Sequence, residues 1–194
     1  MKPREYLQDG DGLVVVDVQN DFCPGGALAV ETGDQVVPVL NKWIQAALEK
    51  DVPVYVSRDW HPQGHVSFTS EGGPYPPHCL QDSPGAAFHP NLMLLPKVVK
   101  ITKGTRFDQD QNSVFDETGF KDRLERDRVH RIWVGGLARD ICVLATVLDA
   151  RSCGITVNLL VTATRAVSSE GSQQALDQMR EAGADIVNGS DYGF

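Results

Sequence analysis

The sequence predicts an α/β fold, with three layers α/β/α around a central, mostly parallel sheet of about six strands. Three observations predict it. Short apolar runs of strand character recur along the chain, segments with apolar residues at helical spacing lie between them, and residues capable of chemistry sit at or just after the ends of the runs. Strands alternating with helices imply right-handed crossovers and a sheet covered on both faces. Ligands in such sheets bind beyond the carboxyl ends of the strands, so distant positions converge on one edge.

The first run, Leu13-Val14-Val15-Val16-Asp17-Val18, is apolar except for its acid, as a strand buried on both faces requires. From Asp34 to Lys50, the residues Val36, Val37, Leu40, Trp43, Ile44, Ala47 and Leu48 recur at helical spacing and predict a helix. Val52 to Ser57 reads as the second strand, with Pro53 near its start. Val98 to Thr102, Arg131 to Val134 and Ile155 to Val161 repeat the strand pattern. Ile141 to Ser152 and Ser172 to Ala182 read as helices, and Asp185-Ile186-Val187 as a last short strand. Residues 60 to 96 break this rhythm with Pro62, Pro74, Pro76, Pro77, Pro84, Pro90 and Pro96. A loop this long inside a compact domain is functional or disordered. Its histidines (His61, His65, His78 and His89) and its scarcity of charge argue for function.

A chain of 194 residues is long enough for one well-filled core and short for two, so residues 1–194 read as one domain, with a metal-binding loop at about residues 59–96. Hydrophobic content of 41% and charged content of 23% suit a globular protein. The net charge is -8 and no block of lysine and arginine stands out, which argues against nucleic acid or an anionic membrane as partner. No apolar run reaches the length of a membrane span, and no signal-peptide core follows Met1-Lys2-Pro3-Arg4-Glu5, so the expected location is the cytoplasm. There Cys23, Cys79, Cys142 and Cys153 read as thiols, ligands or catalysts rather than disulfides. Assembly as a homo-oligomer stays open.

Cys142 follows Gly135-Gly136 and lies near the start of a predicted helix, where the helix dipole and unpaired N–H groups favour thiolate. A core cysteine is the plainer alternative. Asp17 interrupts a strand of valines, and a buried carboxylate is costly unless paired. Asp21 fits a turn acid. Lys103 also follows a strand, and alone it would read as a solvated loop residue. Together the three form a workable set: Asp17 as general base and then acid, Lys103 holding that carboxylate ionised, Cys142 as nucleophile toward a carbonyl. Asp59 and His61 are two apart, so an extended backbone points both to one face. With His78 they offer two imidazoles and one carboxylate, and His65 is a possible further ligand or supporting group. Ligand type does not separate zinc from iron(II) or manganese. His89 reads as a surface residue.

Several stretches carry a resemblance: Val16-Asp17-Val18-Gln19-Asn20-Asp21-Phe22-Cys23-Pro24-Gly25-Gly26, Asp59-Trp60-His61-Pro62, Pro76-Pro77-His78-Cys79, Thr102-Lys103-Gly104 and Gly136-Leu137-Ala138-Arg139-Asp140-Ile141-Cys142-Val143. They resemble the nicotinamidases (pyrazinamidases) of the isochorismatase-like cysteine hydrolases, in order from about Val14 to Val187. The resemblance implies hydrolysis of nicotinamide, a small-molecule substrate, to nicotinate and ammonia by an Asp17, Lys103 and Cys142 triad, with a place in NAD salvage. It implies one divalent metal ion, zinc ahead of iron or manganese, on Asp59, His61 and His78, holding the pyridine nitrogen. It further implies a cis Leu137–Ala138 bond, an oxyanion hole from the Ala138 and Cys142 N–H groups, and a ring pocket walled by Phe22, Tyr75 and Leu137. Tyr75 stands where the family frequently has tryptophan, Arg139 where threonine is usual, Ile141 where tyrosine or histidine is frequent and Thr162 where aspartate is common. These differences bear on the ring preferred, so another small heteroaromatic amide is the alternative substrate. A metal-free isochorismate or carbamoyl hydrolase would not need the aspartate and two histidines together. A non-catalytic metal- or ligand-binding relative would not need the triad.

Overall fold

The structure is a computed structural model that describes residues 2–188, so the single-domain expectation for residues 1–194 extends past it at both ends. Six strands, β1 (Asp11–Val16), β2 (Val54–Asp59), β3 (Val99–Lys103), β4 (Arg131–Gly136), β5 (Thr156–Thr164) and β6 (Asp185–Val187), form one sheet in the order β3-β2-β1-β4-β5-β6. Every neighbouring pair is parallel. The helices are α1 (Pro3–Tyr6), α2 (Val36–Glu49), α3 (Phe120–Arg126), α4 (Leu144–Ser152) and α5 (Ser169–Glu181). None of the described helices is long and apolar enough to cross a membrane.

The two-residue period of β1 splits the core. Leu13 and Val15 face a cluster built on α2, with Leu40, Trp43, Ile44 and Ala47. Val14 and Val16 face the opposite cluster, where Phe120 and Leu124 of α3, Val147 of α4 and Ala175 and Met179 of α5 pack. Trp43 meets Trp133 of β4 at a ring separation of 4.9 Å. Both faces of the sheet are thus covered, as its unbroken valine run requires.

The element order follows the sequence pattern, and the ends shift for physical reasons. β1 stops at Val16 because Asp17 takes a left-handed φ of 47° and leaves the sheet. β2 continues to Asp59 because Arg58 and Asp59 pair with Thr102 and Lys103 of β3. β4 continues through Gly135 and Gly136, which pair with Val15 and Val16. The helix expected from Ile141 begins instead as a π turn over Arg139–Val143, which passes into α4. α5 starts early, at Ser169, because the Ser168 hydroxyl caps it by accepting from the Gly171 N–H at 3.0 Å. α1 and α3 were not expected. With two buried apolar residues, Phe120 and Leu124, α3 is too short to show a period.

Gly136 fixes the point where β4 hands the chain to residues 137–142. Its φ is 125°, and a Cβ there would lie 2.0 Å from the Val16 carbonyl oxygen. Gly136→Ala is expected to cost about 2 kcal/mol or more through strain and overpacking. Urea unfolding measures this, and a midpoint equal to that of the parent protein would contradict it.

Candidate active site

Three strand ends deliver the charged residues. Asp59 ends β2 and Lys103 ends β3, paired in register across the two strands. Asp17 follows β1, and Cys142 follows β4 inside the π turn. All four are buried. The Lys103 ammonium forms an ion pair with Asp17 Oδ2 at 2.8 Å, donates to Asp59 Oδ1 at 2.5 Å and the Gln111 carbonyl at 3.2 Å, and lies 3.6 Å from Cys142 Sγ. Asp17 Oδ1 accepts from the Ser57 hydroxyl at 2.7 Å. Donor atoms of Asp17, Asp59 and Cys142 lie within 4.8 Å of one another. The structure places Asp17, Lys103 and Cys142 side by side, and it also pairs Lys103 with Asp59, which the sequence did not show because register is invisible in one strand alone.

One cation between two carboxylates leaves a net negative charge in the interior, and such pairs push their pKa values apart. Burial pushes the Asp17 carboxyl up, and the Lys103 charge only partly opposes it. Burial acts the same way on Asp59, but there Lys103 together with His61 prevails and holds the carboxylate well below its usual range. Lys103 itself is drawn down by burial and raised well above the ordinary lysine value by Asp17, Asp59 and Cys142. Asp59 is therefore the fixed anion, and Asp17 the carboxylate able to exchange a proton. The Cys142 thiol differs from expectation. Burial pushes its pKa well up, Lys103 pulls it down, and the nearby aspartates add to the rise. Burial thus opposes the thiolate that a place near the start of a helix was expected to favour.

Asp59, His61 and His78 each place one donor atom within 4.8 Å of the others. The Nδ1 atoms of His61 and His78 face the carbonyls of Gly104 and Pro76, at 3.0 and 2.8 Å. A carbonyl only accepts, so each Nδ1 carries the hydrogen and each Nε2 presents a lone pair. Burial also lowers the His78 pKa, favouring the neutral ligand form. Asp59 turns Oδ1 to Lys103 and Oδ2 toward His61 Nε2 at 3.6 Å. Two imidazoles and one held carboxylate fit a divalent ion of the zinc, iron or manganese type. A Cβ at Gly104 would meet His61 Cε1 at 2.6 Å, so glycine after Lys103 keeps the imidazole in place.

His65 stacks on His61 at 4.1 Å and holds Ser67 Oγ through Nδ1 at 2.7 Å. Its Nε2 has no hydrogen-bond partner, yet it falls outside the three-residue group. His89 lies away from this group, on another cleft, where its Nδ1 accepts from the Asn91 N–H at 3.3 Å. Two motif residues prove structural. Gln19 clamps the Asp59 backbone, accepting from its N–H at 2.7 Å and donating to its carbonyl at 2.8 Å. Asp21 accepts from the Cys79 and Ala27 N–H groups at 2.7 and 3.1 Å, which seats His78 beside its neighbours.

Sγ and the aspartate–histidine group open on one cavity of about 90 Å³. A water needs roughly 10–15 Å³ on this measure, so the space suits a molecule of single-ring size. Phe22, Tyr75 and Ala138 stand on the wall, as do Ile141 and Asn112. Leu137 does not; it is fully buried in the α2-side core, and its peptide bond to Ala138 is cis. The Arg139, Ile141 and Val143 N–H groups are taken by the Arg165 carbonyl and, for the last two, the Ala138 carbonyl, at 2.7, 3.1 and 3.1 Å. Arg139 also turns its side chain away from the cavity, donating to Thr164 Oγ1 and Ser172 Oγ, both at 2.7 Å. Asn112, on the wall, was not foreseen, since it comes from a loop with no periodicity.

Comparison with known proteins shows the family of the chain. The isochorismatase domain family matches residues 11–191. A nicotinamidase of Escherichia coli (strain K12) is 36% identical over 93% of this chain and 95% of its own. Among solved structures, the pyrazinamidase of Pyrococcus horikoshii in complex with zinc superposes with a TM-score of 0.89 at 40% identity, covering 92% of this chain and 99% of that one. PnC1 from L. infantum in complex with nicotinate gives 0.84 at 34% identity, with 93% of each chain covered.

Lys103→Met removes the cation from two buried carboxylates, and is expected to cost about 3 to 5 kcal/mol at pH 7 in metal-free protein. Because the folded-state pKa of Lys103 lies above the ordinary 10.5, its contribution is fully present below that value and is lost only as pH rises beyond it. The difference in urea midpoint between parent and variant should therefore hold from neutral pH to about pH 10. A difference that has vanished by pH 9 would contradict the assignment.

Proposed function

The chain belongs to the isochorismatase family, and from that premise we propose that it is a nicotinamidase, hydrolysing nicotinamide to nicotinate and ammonia through an acyl-enzyme on Cys142. The observation that carries this reading is the shared cavity: a thiol and an aspartate–histidine–histidine group both line it, and one lysine is ion-paired with Asp17 beside the thiol and with Asp59 of the group. Asp59, His61 and His78 would hold one divalent cation, with zinc as the proposed occupant, and His65 stands beside them. When bound, that cation supplies a Lewis-acid site for the ring nitrogen. Phe22 and Tyr75 flank the ring, and the carboxamide then faces Cys142.

Each step uses a group already in place. As Sγ forms its bond to the carboxamide carbon, the thiol proton passes to Asp17, and the carbonyl oxygen takes the displaced electron pair. The Ala138 and Cys142 N–H groups are proposed to receive that oxygen. Asp17 returns the proton to the nitrogen as the C–N bond breaks, and ammonia leaves. Water then attacks the thioester and gives its proton to Asp17. The S–C bond breaks, the sulfur is reprotonated and the acid departs. Lys103 keeps a positive charge beside Asp17 and the sulfur throughout. The same anchoring accepts pyrazinamide, a ring amide that also carries ring nitrogen.

Three measurements test this. In Cys142→Ala, ammonia release should fall roughly 10³-fold or more while bound metal is unchanged, and retained turnover would sink the nucleophile assignment. His61→Ala should lose metal and raise the KM for nicotinamide by about tenfold or more, with an unchanged KM refuting the anchoring role. Ammonia release compared across nicotinamide, pyrazinamide and a non-ring amide should show chelator-sensitive turnover of the two ring amides. Equal turnover of the non-ring amide would argue against ring anchoring.

A further inference from the structure

We infer that Asn112 is a specificity-determining residue that accepts a hydrogen bond from the substrate's amide nitrogen and disfavours the carboxylate product. This rests on the nicotinamidase reading and adds to it the group that distinguishes the start of the reaction from its end.

Asn112 stands on the cavity wall with Oδ1 at 3.9 Å from Cys142 Sγ. Its orientation is set by Asp110, which lines the same cavity and accepts from Nδ2 through Oδ2 at 3.2 Å. An ionised carboxylate only accepts, so the amide nitrogen must face Asp110 and the oxygen must face the thiol. The flanking backbone is pinned. Gln111 is buried, its carbonyl accepts from Lys103 Nζ at 3.2 Å, and its side chain accepts from the Thr105 N–H and donates to the Asp116 carbonyl, at 3.2 and 3.0 Å. On the other side, the Val114 N–H donates to Thr146 Oγ1 at 3.1 Å. The same short segment thus holds the lysine by one residue and faces the sulfur with the next.

A carbon placed for attack by Sγ carries two polar atoms. One is the carbonyl oxygen, directed to the backbone N–H groups of Ala138 and Cys142. The other is the amide nitrogen, a hydrogen-bond donor, and an acceptor beside the sulfur complements it. Hydrolysis replaces that nitrogen with an oxygen that only accepts. Asn112 Oδ1 then opposes a like group, with the Asp110 carboxylate on the same wall. The residue is neutral, so it discriminates without placing a further negative charge against the sulfur, where it would hinder loss of the thiol proton.

The test compares the metal-loaded parent, Asn112→Ala and Asp110→Asn, measuring kcat and KM for nicotinamide and the competitive inhibition constant of nicotinate. One neutral hydrogen bond corresponds to roughly a two- to tenfold change in affinity. Asn112→Ala should raise the KM and lower the nicotinate inhibition constant, so that their ratio moves by roughly tenfold toward product. Asp110→Asn, at an exposed position on the wall of the same cavity, removes that carboxylate and frees the Asn112 amide to present its nitrogen, and should also tighten nicotinate binding. A fall in kcat with the ratio of the two constants unchanged in both variants would overturn the inference, since packing alone predicts that pattern. Absence of nicotinamide turnover in the parent would overturn the nicotinamidase reading itself, a separate and distinguishable result.

Discussion

A single buried ammonium, that of Lys103, lies between the carboxylates of Asp17 and Asp59. Burying any of these charges alone is prohibitive, and the arrangement survives because each has a close opposite partner and further hydrogen bonds. The rest of the site follows from it. β2 and β3 must end in register, because Asp59 and Lys103 are paired residues. β1 must release the chain at Asp17, whose left-handed backbone brings its carboxylate across to the Ser57 hydroxyl and the lysine. The unequal balance of burial and attraction leaves one carboxylate fixed as an anion and the other able to take a proton.

Asp59 links two jobs through its two oxygens. Oδ1 belongs to the lysine, and Oδ2 faces the imidazoles whose tautomers are set by the Gly104 and Pro76 carbonyls. The group proposed to hold the ring and the group proposed to break the amide bond therefore share one electrostatic element. Both line one small cavity, so in the proposed reaction a ring held by one presents its amide to the other. Burial opposes ionisation of the thiol, and the nearby Asp17 is the proton's destination in the proposed reaction.

The topology was legible because each strand is a short, dense apolar run and α2 shows a full helical period. Asp17 stood out as an acid among valines, and Cys142 as a thiol after two glycines. Lys103 was ambiguous in isolation, since nothing local separates a lysine at a strand end from a solvated one. Its bond to Asp59 depends on register between segments 44 residues apart. The upward push on the thiol pKa was also hidden, because its cause is burial by the whole fold rather than the helix that follows it. Asn112 and Gln111 come from a loop whose shape is set by side-chain bonds to Asp110, Thr105 and Asp116, and no periodic pattern marks such contacts. Leu137 was placed on the ring wall by resemblance, whereas it packs into the core beneath its cis bond.

The central claim is a division of labour, with covalent chemistry on Cys142 and the aspartate–histidine group as anchor. Mass spectrometry of protein quenched in acid during nicotinamide turnover tests it most directly. The account predicts a nicotinoyl thioester that maps to the peptide containing Cys142 and disappears once substrate is consumed. Full-rate turnover with that peptide unmodified, or an acyl group on another residue, would contradict it.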